Sequence, residues 1–242
     1  MKGLLMRDRV LNICLHDIVA DTTEVKTIYD ITLRQLEDIA ESLQKFRTEK
    51  AIDSYQIFFD DGYKSALDVV NSIDLGISNA GVHLAIITDD IGKSNKLTES
   101  DLVLLSQREY SIDSHGVSHA ALAVFNDELL QTSPSNGTYK NMPYGKSNVL
   151  SNKEIAYQLI ESSKRLVSIT DSSPTAFVLP YGLYNKEVVY RAAQSGYCRI
   201  YTCDAALDTG QFLAPRLLIT QENIEEFKEL VLSLSIYPKY LA

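Results

Sequence analysis

The chain has 242 residues, of which 45% are hydrophobic and 23% are charged, and this ordinary globular usage excludes a disordered or fibrous protein. Its 23 Lys and Arg residues against 32 Asp and Glu residues give a net charge of −9 at pH 7, and no basic cluster offers a track for phosphates, which excludes nucleic acid as a partner. The same acidity favours neutral or cationic ligands over a strongly anionic polymer.

The sequence contains no pattern typical of a secretory leader or of a membrane span. The first apolar stretch, Gly3 to Met6, is interrupted at once by Arg7 and Asp8, so it is too short for a leader. No later segment approaches the ~20 apolar residues that a span needs. The 3 cysteines are odd in number and lack CxxC spacing, as is usual in a reducing compartment. We therefore expect a cytoplasmic protein without a membrane span.

Short apolar, β-prone runs alternate along the chain with helical patterns. The clearest helical pattern has apolar residues at spacings of three and four between Leu33 and Phe46. Alternating strands and helices indicate parallel strands with helical crossovers, and seven such units favour a barrel over two domains. We expect one domain over residues 1–242. The predicted strands are Val10–Leu15, Gln56–Phe59, Val82–Ile87, Ser111–Ser114, Ala176–Leu179, Cys198–Thr202 and Arg216–Ile219.

Helix boundaries carry their own signals. Side chains that cap helix N-termini precede several helical patterns, and a glycine is a plausible stop signal. These are Ser151 with Glu154 and Thr98 with Asp101 as capping boxes, Asn185 and Asn223 as N-caps, and Gly196 as the stop. Between them, residues from about 125 to 150 are rich in Pro, Gly and Asn and predict a long loop insertion. Such a loop is either a lid or wall of a cleft, or a surface excursion without a role in binding.

Two adjacent carboxylates follow the second predicted strand, in Phe58-Phe59-Asp60-Asp61-Gly62. The carboxyl ends of parallel barrel strands form the face on which active sites are built. Adjacent side chains there point in different directions, so one carboxylate can bind a cation while the other handles a proton. The alternative is that these residues only turn the chain and cap the next helix.

Two of the 4 histidines follow the fourth predicted strand, in Ser114-His115-Gly116-Val117-Ser118-His119. Histidines four residues apart share a face if the chain turns helical, and neutral imidazole is a common metal ligand. Asp113 or a backbone carbonyl could orient one of the rings. With a carboxylate from the preceding motif, they form the ligand set of a catalytic metal site with open positions. Unrelated exposed histidines are the alternative interpretation.

A third motif, Leu179-Pro180-Tyr181-Gly182, also follows an apolar run. Proline fixes one backbone angle and glycine allows close approach, so a backbone N–H in this turn could face a developing oxyanion. An ordinary turn before a helix would have the same sequence.

With these three motifs in chain order, the sequence resembles the polysaccharide deacetylase family, also called the NodB-homology or carbohydrate esterase 4 domain. The resemblance runs from about Val10 to Thr220. Its first motif matches residues 59–62, its second residues 114–119 and its third residues 180–182, and Pro215-Arg216 resembles a Pro-Arg pair near the end of some branches.

The resemblance implies a distorted (β/α)7 barrel. It also implies one divalent metal held by Asp61, His115 and His119, with zinc expected and cobalt, nickel or iron as alternatives. In that mechanism Asp60 is the general base, and the Tyr181 N–H helps to stabilise the oxyanion. The product is an amine with a carboxylate such as acetate, released from an N-acetylated sugar or polysaccharide.

Two departures from the family pattern affect the expected site. The region that often supplies an Arg to steady the catalytic Asp reads Phe177-Val178-Leu179, and we hypothesise that Arg216 fills this role from a later strand end. No histidine follows His119, so the proton donor to the leaving amine is open between Asp60 and His16. His16-Asp17, with Pro180 and Gly182, is expected to line the substrate cleft. The fourth histidine, His83, is expected in the core.

Three functions fit these residues. The first is a de-N-acetylase in cell-surface glycan assembly, such as capsule, exopolysaccharide or O-antigen synthesis. The second is a non-catalytic sugar-binding member of the same fold, suggested by the missing cation and late histidine. The third is another metal-dependent barrel hydrolase, which would need strand-end ligands for a second metal. The presence of Asp60 favours catalysis, because a binding site has no need of a base beside the metal.

Overall fold

The computed structural model describes residues 8–123 and 150–235, and its centre is an eight-stranded parallel sheet. The strand order is β10-β1-β4-β5-β6-β7-β8-β9, and β2 pairs with β3 in a separate two-stranded sheet. The strands are β1 (Val10–Leu15), β2 (Ile18–Val19), β3 (Ile31–Thr32), β4 (Ser54–Phe59), β5 (Val82–Ile86), β6 (Ser111–Ser114), β7 (Ala176–Val178), β8 (Arg199–Tyr201), β9 (Leu213–Ala214) and β10 (Leu217–Leu218).

The two edges of the sheet are successive halves of one extended run. β9 pairs with β8 through Leu213 and Ala214, whereas β10 pairs with β1 through Leu217 and Leu218. Only Pro215 and Arg216 separate the two halves. The sheet therefore curls until its ends meet at this dipeptide, and the predicted distorted (β/α)7 barrel is confirmed. If β9 and β10 are counted as one strand, the barrel formed by the described residues has seven strands.

Helices cross over between the strands and cover the outer face of the sheet. They are α1 (Leu33–Thr48), α2 (Ser65–Ser72), α3 (Glu99–Gln107), α4 (Asn152–Thr170), α5 (Lys186–Gln194) and α6 (Phe227–Ser233). The apolar face of α1 is buried from Leu36 to Phe46. No helix within the described parts of the chain has both the length and the apolar composition needed to cross a membrane.

Strand residues alternate between the helix-covered face and the barrel interior, because side chains in a strand have a period of two. In β4, Ile57 and Phe59 join the large core under the helices, whereas Phe58 belongs to a small interior cluster with Ala85, Val178 and other residues. Polar residues also lie on the interior face. His83 stacks on Phe58, with ring centroids 4.1 Å apart, and is buried as expected.

Most predicted helix boundaries are confirmed. Ser151 and Thr98 form capping boxes, and Asn185 accepts a hydrogen bond from Val188 N. Gly196, with φ of +90°, follows the end of α5. Asn223 occupies the N-cap position of the short 3₁₀ helix Ile224–Glu226, as predicted, but its side chain makes no capping hydrogen bond. Its Oδ1 accepts from Thr220 N instead.

The predicted bounds of β1 and β6 match the observed ones, and each of the other five predicted strands differs by one or two residues at one end or both. Three strands, β2, β3 and β9, were not predicted, and β9 was missed because Pro215 interrupts the apolar pattern. The loop predicted from about 125 to 150 falls almost wholly on residues outside the described ranges. That prediction, and the prediction of one domain over the whole chain, stay predictions.

The capping box at Ser151 generates a stability prediction. Ser151→Ala removes the side-chain acceptor for Glu154 N and should lower the free energy of unfolding by ~1 kcal/mol. Ser168→Ala is the matched control, because Ser168 is equally exposed on α4 and bonds only to a carbonyl one turn earlier. Urea unfolding followed by circular dichroism measures both variants. Equal midpoints for the two would contradict a stabilising cap.

Candidate active site

Four side chains with acid, base or metal-binding chemistry lie just beyond the ends of the barrel strands, in line with the residues that face the barrel interior. Each lies two residues after an inward-facing strand residue, so the period of two aims it into the same cleft. The backbone pairing continues far enough to support this, since Asp60 N donates to Leu15 O at 2.8 Å and His115 N to Ile86 O at 2.9 Å. The four are His16 after Cys14, Asp60 after Phe58, His115 after Asp113 and Arg216 after Ala214.

Asp61, His115 and His119 converge on one point. Asp61 Oδ1 lies 3.4 Å from His115 Nε2 and 3.4 Å from His119 Nε2, and the two imidazole nitrogens are 3.1 Å apart. Asp61 Oδ1 is buried and has no hydrogen-bond partner among the described residues. Two imidazoles and one carboxylate facing a common point are the donor set of a zinc-type site with open positions, so these residues fit a divalent metal.

The protonation of the two imidazoles differs. Burial and the neighbouring His115 lower the pKa of His119 to about 4, so its ring is neutral at pH 7, as a metal ligand must be. Burial by itself would lower the pKa of His115, but the neighbouring carboxylates of Asp61 and Asp60 raise it. His115 Nδ1 contacts Val178 O at 2.8 Å, which orients the ring and leaves Nε2 for a metal.

The sequence pattern predicts that His115 and His119 share a face if the chain between them is helical. The backbone between them is not helical. Gly116 and His119 adopt positive φ of 81° and 56°, and this bend brings the rings to 4.7 Å centroid separation. Gln158 on α4 holds the bend through its Oε1, which accepts from Val117 N at 2.8 Å and from Ser118 N at 3.1 Å. Sequence analysis missed Gln158, although a glutamine on the buried face of α4 was a usable signal.

Asp60 is held in the cleft by Arg216. The guanidinium donates from Nη1 to Asp60 Oδ1 at 2.7 Å and from Nη2 to Asp60 Oδ2 at 3.0 Å, and Arg216 Nε donates to Thr202 O at 3.0 Å. Arg216 is 0% exposed and Asp60 3% exposed. Burial would raise the pKa of Asp60, but the Arg216 and His115 charges outweigh it and lower the pKa to about 2. The carboxylate is therefore ionised at neutral pH.

The other expected site residues lie around this cluster. Tyr181 has φ of +59° in the turn Pro180–Gly182, and its ring centroid lies 4.5 Å from that of His119. The turn packs tightly, because a Cβ on Gly182 would come within 2.8 Å of Cys203 Cβ. Asp113 contacts His83 at 2.6 Å, so it does not orient either metal-facing histidine.

A second group of donors adjoins the first but does not suit a metal. Cys14, His16 and Asp60 offer ligand atoms within 4.8 Å of one another. Both oxygens of Asp60 already accept from Arg216, and Cys14 Sγ donates to Asp60 Oδ2 at 3.3 Å. Burial raises the pKa of the Cys14 thiol, and a cation here would face the buried guanidinium. The interpretation as a two-metal hydrolase therefore loses its support.

Asp17 lies beside a different space from the donor cluster. It lines a cavity of about 560 Å³ formed with the start of α2, and neither His16 nor the three metal-facing donors line that cavity. Its carboxylate accepts from Ser65 Oγ at 2.6 Å and from Asn95 Nδ2 at 3.2 Å. Because none of the converging donors lines this cavity, we identify the active site by the geometry of the donors and not by the cavity.

The convergent donors generate a binding prediction. His119→Ala should weaken Zn²⁺ binding by more than the ~10–100-fold that loss of an outer-shell contact costs, because it removes a direct ligand. His16→Ala, the same change at a cleft histidine outside the trio, should leave the affinity nearly unchanged. Equilibrium dialysis with Zn²⁺ measures both. If His16→Ala loses the ion and His119→Ala keeps it, the metal site is misassigned.

Comparison with known proteins points in one direction. A family model described as polysaccharide deacetylase matches residues 48–200, whereas no curated protein gives a significant match. Among solved structures, a polysaccharide deacetylase from Bacillus cereus is similar over 93% of this chain and 69% of its own, with 16% identity and a TM-score of 0.66.

Two further structures share the fold over nearly their whole length. The deacetylase PplD of Streptococcus pyogenes, solved in complex with acetate, has 16% identity and a TM-score of 0.66 over 93% of this chain and 99% of its own. A de-N-acetylase from Aggregatibacter actinomycetemcomitans has 18% identity and a TM-score of 0.62 over 91% of this chain and 100% of its own. At these identities the structures establish the similarity of fold alone.

Proposed function

The chain belongs to the polysaccharide deacetylase family, and we propose that it is a metal-dependent hydrolase that removes N-acetyl or other N-acyl groups from an amino sugar or polysaccharide. One observation carries the proposal. Two imidazoles and the Asp61 carboxylate meet within 4.8 Å, beside an ionised Asp60 that Arg216 holds by two hydrogen bonds. The solved de-N-acetylase and the acetate-bound deacetylase with the same fold support this choice of reaction.

Asp61, His115 and His119 would hold one divalent ion, with zinc first and cobalt, nickel or iron as alternatives that the same donors accept. When bound, such an ion supplies Lewis acidity toward the acyl carbonyl and the attacking water. His115 keeps its Nε2 available because Val178 O occupies its Nδ1. The neutral ring of His119 needs to lose no proton to become a ligand.

Asp60 is the proposed general base. Its Oδ2 lies 3.9 Å from His115 Nε2, so a water between the carboxylate and the donor cluster is within reach of both. The ionised carboxylate takes a proton from that water, and the remaining hydroxide adds to the acyl carbon. The Tyr181 N–H is the proposed donor to the resulting oxyanion, since the turn 180–182 packs against His119.

Collapse of the tetrahedral intermediate breaks the C–N bond. The amine leaves with a proton and the acyl group leaves as a carboxylate, acetate in the simplest case. We propose that Asp60 donates this proton, because it has just taken a proton from the water and lies beside the scissile bond. His16 is the alternative donor, and that role would show as lost turnover in His16→Ala with Zn²⁺ still bound. His16 otherwise lines the substrate cleft, whereas Asp17 would reach only a part of the substrate that extends into the neighbouring cavity.

The non-catalytic alternative was suggested by the absence of a cation at residues 177–179 and of a late histidine. Arg216 supplies the cation. A cation contacts the base as the family pattern requires, although it comes from the run between β9 and β10 and not from residues 177–179. Arg216 keeps Asp60 ionised and oriented, as a general base needs to be, and this favours catalysis over sugar binding alone. Catalysis in cytoplasmic assembly of a cell-surface glycan is our proposal, and cell fractionation would test the location.

Asp60→Asn is expected to lower kcat for acetate release by roughly 10²–10⁴-fold, because it removes the proton acceptor and leaves the metal ligands in place. Acetate is measured after incubation of the Zn²⁺-loaded protein with a panel of N-acetylated sugars and oligosaccharides. Asp89→Asn is the matched control, since Asp89 is an exposed carboxylate just beyond β5. Equal acetate release by wild type and Asp60→Asn would eliminate the assigned base.

Arg216→Ala is expected to abolish turnover while Zn²⁺ content stays intact. The variant loses the two hydrogen bonds that orient Asp60 and the charge that keeps it ionised, but it removes no metal-facing donor. Arg216→Lys, which keeps the charge with a single nitrogen, should recover part of kcat. Activity assays, metal analysis and circular dichroism are run on all three proteins. Unchanged activity in Arg216→Ala would rule out this role.

A further inference from the structure

The turn that carries Asp61 has a backbone conformation that needs support. Directly after β4, Asp61 and Gly62 adopt φ of +66° and +67°. Residues other than glycine are uncommon in this left-handed region, even though aspartate tolerates it better than most, and they persist where the surrounding structure holds them. The direction of the Asp61 carboxylate depends on this turn, because its Cα belongs to it.

A short segment, Asn95 to Leu97, fastens the turn through main-chain contacts. Leu97 N donates to Gly62 O at 2.9 Å, and Lys64 N donates to Asn95 O at 3.0 Å. Tyr63 and Lys96 form an isolated antiparallel bridge between these two hydrogen bonds. These contacts fix the path of the chain after Asp61, but none of them involves the Asp61 peptide group itself.

The Lys96 side chain contacts the Asp61 peptide group, which the main-chain hydrogen bonds leave out. Its Nζ donates to Asp61 O at 2.9 Å and lies 3.3 Å from the centroid of the Tyr63 ring. The ammonium is thus held between a carbonyl and an aromatic face, two groups that attract a cation. Its hydrogen bond fixes the plane of the peptide group that follows the Asp61 Cα.

We propose that Lys96 is a positioning residue for Asp61. It holds the Asp61 backbone so that Asp61 Oδ1 lies 3.4 Å from both His115 Nε2 and His119 Nε2. The inference rests on the proposed function, because only there is Asp61 a metal ligand. Groups that orient a ligand in this way raise metal affinity by reducing the reorganisation that binding requires. Lys96 acts through Asp61 and has no part in the proton transfers.

Three variants test this role. Lys96→Met keeps the length of the side chain and removes the ammonium, and Lys96→Arg restores a cationic donor. Lys93→Met is the matched control, since Lys93 is an exposed lysine of the same loop whose Nζ pairs with Asp90. Zn²⁺ affinity is measured by competition with a chromogenic chelator. Lys96→Met should bind Zn²⁺ about tenfold more weakly, Lys96→Arg should regain most of the affinity, and Lys93→Met should match the wild type.

A second measurement separates this proposal from the metal site itself. In metal-free protein, amide hydrogen exchange of peptides covering residues 58–64 should accelerate in Lys96→Met and not in Lys93→Met. Unchanged Zn²⁺ affinity in Lys96→Met, or equal weakening in both methionine variants, overturns the proposal. So does unchanged exchange. A wild-type protein that binds no Zn²⁺ despite a clear exchange effect overturns the metal site, and the positioning of a ligand falls with it.

Discussion

The buried ion pair between Arg216 and Asp60 is the constraint on which the site depends. A guanidinium and a carboxylate with almost no exposure are stable only because each satisfies the other, and breaking such a pair costs roughly 3–5 kcal/mol. Arg216 lies where the two edges of the sheet meet, while Asp60 directly follows β4. The same contact therefore links barrel closure to the orientation and charge of the proposed base.

The turns at the strand ends share a second property. Each of the three motifs contains one residue other than glycine with positive φ, namely Asp61, His119 and Tyr181. Such residues cost free energy wherever they occur, so other contacts must compensate. Lys96 and Gln158 brace the first two turns. The strained turns redirect side chains that would otherwise continue past the strand ends, and this is how short loops bring three donors to one point.

The family pattern and this chain use different segments for the same contact. Residues 177–179 supply no cation, yet the proposed base is held by two hydrogen bonds from a guanidinium, because Arg216 reaches it from a strand end 156 residues further along the chain. The proposed mechanism requires a cation beside Asp60, and the barrel offers several strand ends from which such a side chain can reach it. The late histidine of other members has no counterpart here, which leaves the proton donor between Asp60 and His16.

The sequence by itself determined the barrel and the three motifs, because strand and helix periodicity is local and polar residues directly after apolar runs mark strand ends. It also predicted that Asp61, His115 and His119 converge, since the carboxyl ends of parallel strands meet on one face. Only the tertiary structure decided that Arg216 contacts Asp60, and that residues such as Gln158 and Lys96 brace the site. Those contacts depend on how the sheet closes and how helices pack against it, which no local pattern encodes.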